Sequence, residues 1–155
     1  MEGYFKRGVR ELLTALYRGK PVTDSYDEYA GEYLFKESEF TQGSLVFAGV
    51  RPIIVGEVVD TDPEYVNLAW WVMVKPETVG QYTGLHDVAG TKVFAHDIVS
   101  ASNCFYEKYV VEWSQKLCSF IVRGPVTGSV RLLADCEDIT VLGNIYDNLE
   151  LWEAK

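Results

Sequence analysis

The chain has 155 residues, of which 48% are apolar and 24% charged, a balance that fits a globular domain and excludes a disordered or low-complexity chain. Its net charge of −9 gives a field that repels nucleic acid, so nucleic-acid binding is disfavoured. The longest uninterrupted apolar run, Leu68 to Val74, is too short to cross a bilayer, and no membrane partner is expected.

The opening MEGYFKRG has no apolar stretch behind its basic residues and does not read as a secretory signal. Val9, Leu12, Leu13, Leu16 and Tyr17 then fall on one helical face, predicting a short N-terminal helix over residues 6 to 18 that Gly19 and Pro21 stop. Lys6, Arg7, Arg10, Arg18 and Lys20 concentrate basic charge there. Arg7 and Arg10 are thereby candidates for anion binding, although a solvated helix face is the simpler reading. Residues 24 to 33 interleave acids with Tyr26, Tyr29 and Tyr33. They read as a loop with one helical turn whose rings tuck onto the core rather than face a partner.

Strands follow. Gly43 to Ala48 and Pro52 to Val59 are β-rich runs, and Asp60-Thr61-Asp62-Pro63 supplies a turn before the next run, Val66 to Val74. Its LAWWVMV stretch lacks alternation and predicts a central strand covered on both faces. Further strands are expected at 92–101, 104–113, 116–122, 129–134 and 139–145, and connections as short as Ser114-Gln115 imply antiparallel hairpins. Asp147 and Glu150 have capping-box spacing for a short closing helix. The fold class is therefore mainly β, with short antiparallel strands and a short N-terminal helix. One domain over 1–155 is expected, in two small β lobes at 1–80 and 81–155. By analogy with other small barrels, the C-terminal lobe is expected to be SH3-like.

Gly84 to Lys92, GLHDVAGTK, invites comparison with a phosphate-binding loop, but the spacing between its glycines is wrong and Thr91 stands before the lysine. A structural turn explains it better, with Asp87 first, Gly90 fourth and Gly84 needed for backbone shape. His86 lies in that turn. His96 stands beside Asp97 without a nucleophile to serve, and in a strand the two would point to opposite faces. The acidic groups Asp60, Asp62, Glu64 and Asp135, Glu137, Asp138 lack the pattern of a calcium loop and read as surface turns. Cys104, Cys118 and Cys136 are odd in number and far apart, which argues against a disulfide framework or a zinc site and for reduced thiols in a cytoplasm. No metal or cofactor is expected.

Two ordered strings carry a family signature: Val79-Gly80-Gln81-Tyr82-Thr83-Gly84-Leu85 with Asp87, Gly90, Phe94 and Asp97-Ile98-Val99, and Gly143-Asn144-Ile145-Tyr146 with Asn148 and Leu151. Through them, residues 75–99 and 139–151 resemble the YopX family of phage and prophage proteins. The chain departs from that pattern in its N-terminal helix, which reads as an insertion after Phe5-Lys6-Arg7-Gly8, and at His96, where the family more often has glycine. The resemblance implies a mainly β protein with no established activity, in the cytoplasm of a bacterial host. Within the signature, Gln81 and Tyr82 are candidates for ligand contact, since an amide and a phenol read polar edges and offer a stacking face. A buried Tyr82 whose hydroxyl caps a loop carbonyl is the simpler reading.

The expected function is that of a non-enzymatic accessory protein that binds a partner. The partners expected are a second copy of the chain, most commonly as a dimer, and a host or phage protein. Capture of a nucleotide-type small ligand is the alternative, and nucleic-acid binding through the small barrel stands behind it.

Overall fold

The computed structural model describes residues 15–28, 31–126 and 129–153. Most of the expected N-terminal helix, with Arg7 and Arg10, lies outside the described residues. The residues meant to form its last turn are extended instead, as strand β1 (Tyr17–Gly19). The helical spacing is overridden there because β1 gains main-chain partners on both sides.

The described residues are mainly β and pair antiparallel throughout. The chain divides into two units, Met1–Gln81 and Tyr82–Lys155. In the first, β1 is followed by a small hairpin of β2 (Ser25–Asp27) and β3 (Glu32–Phe35). This replaces the loop expected over 24–33, and Tyr33, expected on the core, is 52% exposed. The long strands β4 (Thr41–Ala48) and β5 (Arg51–Val55) pair from Ser44↔Val55 to Ala48↔Arg51. A second small hairpin, β6 (Val58–Thr61) and β7 (Val66–Leu68), projects beyond β5 and returns as β8 (Trp71–Met73).

The run LAWWVMV is therefore not one central strand. Ala69 N donates to Glu57 O and Gly56 N to Trp70 O, so the chain bends between β7 and β8. β8 then pairs with β5 and leaves Trp71 55% exposed. Alternation decides which residues face inward: Leu45, Ile54 and Val72 share the inner face. With Val74 they form the core, against which Tyr17, Phe35, Trp70 and Val79 pack.

A few main-chain bonds join the segment after β1 to the end of β8 without a continuous ladder. After β1 the chain passes along β8, where Pro21 bridges Val74, Val22 N donates to Met73 O and Lys75 N to Lys20 O. A 3-10 turn (Pro76–Thr78) then leads into β9 (Gly80–His86). Gly80 and Gln81 of β9 pair with β1.

In the second unit the rest of β9 pairs with β10 (Lys92–Phe94). The main sheet consists of β11 (Asp97–Ser100), β12 (Tyr109–Ser114), β13 (Ser119–Arg123), β14 (Val130–Leu132) and β15 (Thr140–Asn144), in the order β14-β13-β12-β11-β15. It is an open sheet with β14 and β15 at its edges, not the closed SH3-like barrel expected. Its core is Val93, Val99, Tyr109, Val111, Val122, Leu133 and Ile139. A short helix, α1 (Leu149–Glu153), ends the described chain.

His96 does not lie in a strand. It turns the chain between β10 and β11 at φ 73°, in the left-handed region where His is tolerated better than most side chains. The buried Asp97 carboxylate supports this turn by accepting from Phe94 N at 2.8 Å. The tight turn that a glycine would permit here is thus made with His96.

Candidate functional site

The family-specific strings occupy three connected pieces of backbone. The first is β9, where Tyr82 to His86 stands opposite only Lys92 to Phe94 of β10 and must bulge. Gly84 takes up the bulge at φ 89°, a region that costs any side chain about 1 kcal/mol or more. Thr83 holds it from within: its hydroxyl donates to Val93 O at 2.8 Å and accepts from Leu85 N at 3.2 Å. Gln81 and Tyr82 are successive strand residues on opposite faces, so they do not form one contact surface. Gln81 is half-buried opposite Tyr17. Tyr82 is 9% exposed, tilted against Phe94 with ring centres 5.6 Å apart. Its hydroxyl shares a 3.1 Å hydrogen bond with His86 Nδ1, a side chain rather than the loop carbonyl expected. Burial raises its pKa above that of an ordinary phenol.

The second piece is the turn from Asp87 to Gly90, closed by Gly90 N donating to Asp87 O, with Gly90 at φ 84°. Asp87 Oδ1 accepts from Ala89 N and Thr91 N at 2.9 and 2.8 Å, and its Oδ2 reaches Val141 N at 3.1 Å. These bonds, that of Val141 first, hold the Asp87 carboxyl below its ordinary range. The third piece is Gly143 to Asn148. Asn144 Oδ1 accepts from Tyr146 N and Asp147 N, and Asn148 Oδ1 accepts from Asn144 N. A side chain at Gly143 would run into the Asn148 amide. Tyr146 then reaches His96, its hydroxyl 3.0 Å from Nδ1 and its ring edge-on. Both histidines of the chain therefore have Nδ1 on a tyrosine hydroxyl, which fixes ring orientation. The signature residues Tyr82, Thr83, Asp87, Asn144, Tyr146 and Asn148 all spend their polar atoms on the fold.

The basic candidates divide. Arg7 and Arg10 lie outside the described residues, whereas Arg18 and Lys20 are not on a solvated helix face. They are 8% and 9% exposed, with the Arg18 guanidinium 4.5 Å and the Lys20 ammonium 5.2 Å from the Phe40 ring centre. Their burial as strand-borne stems over an aromatic ring removes them from any surface patch. The acids serve turns: Asp62 Oδ1 accepts from Glu64 N and Tyr65 N, Asp60 accepts from the Tyr65 hydroxyl, and Asp138 from the Ser102 hydroxyl. Among the described residues no group of three or more His, Cys, Asp or Glu side chains could hold a metal ion. Nor is any helix among them long and apolar enough to cross a membrane.

Among the described residues, two of the concavities bear on function. In the first unit a cavity of about 660 Å³ is lined by Tyr17, Leu45, Val55, Glu57 and Trp70, among others. In the second, a cleft of about 270 Å³ is lined by His86, Asp87, Cys136 and Asp138, among others. Cys136 is no activated nucleophile there. Burial and the neighbouring Cys104 push its thiol up to about 12, whereas a reactive cysteine is shifted downward.

Sequence reasoning missed two features. One is the outer face of the β4-β5-β8 ladder, where Val46, Ile53 and Met73 form one row and Val55 and Trp71 the next. The lack of alternation in LAWWVMV predicts cover on both faces, whereas Trp71 of that run is 55% exposed. The other is the approach of Cys104 and Cys136, with Sγ atoms 3.7 Å apart. No spacing rule reveals it, because the topology alone brings the two together.

The YopX protein family model matches residues 50–153, from the start of β5 to the end of α1, and so includes all three connected pieces. A comparison with curated proteins found no match. By that family match over most of its length, the chain belongs to the YopX protein family.

Proposed function

We propose that this YopX-family protein is a non-enzymatic accessory protein of phage or prophage type, acting by binding in the cytoplasm of a bacterial host, and that its first partner is a second copy of itself. The observation that carries this reading is the apolar face of β4, β5 and β8 that the described residues leave exposed. Trp71 is 55% exposed there and Val46 47%, beside half-buried Ile53, Val55 and Met73. One apolar row, Val46, Ile53 and Met73, runs across all three strands, and Val55 and Trp71 extend it beside Ser44, which marks an interaction surface rather than scattered exposure. The rows carry no carboxylate, so two copies can meet there although each chain bears a net charge of −9. A dimer formed this way is isologous, which is the commonest closed assembly.

Sedimentation velocity at micromolar concentration tests this. A dimer is expected, together with a shift of the double variant Trp71→Ser, Val46→Ser toward monomer at unchanged secondary structure. A wild-type chain that stays at 17.5 kDa over a wide concentration range overturns self-association and leaves a host or phage protein as the partner to seek.

Small-ligand capture is supported by the cavity beside Trp70. Its described lining holds Glu57 and no cation, so it suits a neutral or cationic ligand better than the phosphates of a nucleotide. Native mass spectrometry of freshly purified protein reads both possibilities, since it reports a carried ligand and the oligomeric state together.

A further inference from the structure

We propose that Cys104 and Cys136 form a reversible dithiol–disulfide site that oxidation closes within one chain. The Sγ atoms lie 3.7 Å apart, and all three cysteines are free thiols. The backbone around the pair is already assembled. The Asn103 side chain donates to Asp135 O at 2.9 Å and accepts from Glu137 N at 2.9 Å. Arg131 donates to both Asn103 O and Asp135 O, at 2.8 and 2.7 Å, and Ser102 N donates to Glu137 O. Two segments distant in sequence are thus zipped together by neighbours of both cysteines, and the two sulfurs need approach by under 2 Å to reach bonding distance. Cys104 and Cys136 are both partly exposed, and Cys136 also lines the cleft with His86 and Asp138, so small reagents can reach the pair. Cys118 is exposed in the turn between β12 and β13 and takes no part.

With a low-molecular-weight disulfide as oxidant, the steps balance. The Cys104 thiolate attacks one sulfur of the small disulfide, forming a mixed disulfide and expelling the other half as a thiol. Cys136 gives its proton to solvent and attacks the Cys104 sulfur, expelling the second half. Two protein thiols are oxidised to one disulfide, and one small disulfide is reduced to two thiols. The second step is slow at neutral pH, because burial keeps Cys136 protonated, and it quickens as pH rises. The closed bond joins the loop after β11 to the segment before β15. The β12-β13-β14 meander then lies inside a covalent loop, which restricts the unfolded chain.

The test incubates the full chain with oxidised glutathione at about pH 8.5, blocks free thiols and cleaves after lysine and arginine. Lys108, Lys116, Arg123 and Arg131 put the three cysteines on three different peptides. The expected product is a reducible peptide pair joining Cys104 to Cys136, with the intact mass lowered by two hydrogens per chain apart from adducts at Cys118. The oxidised chain should melt several degrees above the reduced one. Cys118→Ser should keep the linked pair, while Cys104→Ser and Cys136→Ser should both lose it, and Cys136→Ser should retain glutathione at Cys104. If Cys118 takes up glutathione while Cys104 and Cys136 of the wild-type chain are recovered separately, the proposal is overturned. It is equally overturned if the only disulfide joins Cys118 of two chains.

Discussion

At the scale of single residues, Asp87 shows how one carboxylate can organise a family signature. It accepts main-chain hydrogen bonds from its own turn and from β15, and these hold its folded pKa below the ordinary value of 3.8. A depressed folded pKa means that ionised Asp87 contributes stability in full above the unfolded value. That contribution is lost as pH falls through the folded pKa. Asp87→Ala should therefore lower the melting temperature at neutral pH, and the gap from wild type should shrink once the solution is more acidic than the ordinary aspartate value. Calorimetry across that range checks it. The role was legible because Asp-x-x-Gly is turn chemistry whatever surrounds it. Arg18 and Lys20 were not legible, since nothing local announces that Phe40, a strand away, supplies the ring beneath their cations.

Among the elements, those whose apolar pattern matched their period were readable, and those shaped by tertiary pairing were not. The hairpin of β12 and β13 follows from two β-rich runs with a short turn between them. By contrast, Tyr17–Gly19 has helical spacing behind it but becomes a strand because β4 and β9 flank it. LAWWVMV breaks because the main chain bends at Ala69 and Trp70. The bulge in β9 lies between these cases: Gly84 announced an unusual backbone, but the part played by the Thr83 hydroxyl depends on β10. Gly84→Ala should cost about 1 kcal/mol through its positive φ, read as a lowered denaturant midpoint with little change in slope. Full stability in that variant would show that the bulge can be reshaped at no cost.

For the whole molecule, the two units differ in what they bury. Among the described residues, the second has a core of seven buried apolar residues, and the first has Ile54, Val72 and Val74. Deeply packed strands exchange their amide hydrogens only through large openings. The slowest exchange should accordingly fall in β11, β12 and β13, around Val99, Val111 and Val122. The fastest among paired segments should be the junction of the segment after β1 with the end of β8, at Val22 and Lys75. Mass spectrometry of exchanged peptides decides this, and equal protection at both places would refute it. That junction has a consequence that follows from one side chain. Pro21 has no N–H to give, so the pairing of the segment after β1 with the end of β8 cannot lengthen into a ladder and stays a seam of a few bonds. A seam of so few bonds is a built-in parting line, and under thermal or mechanical stress the first unit should come undone there while its long β4–β5 hairpin still holds.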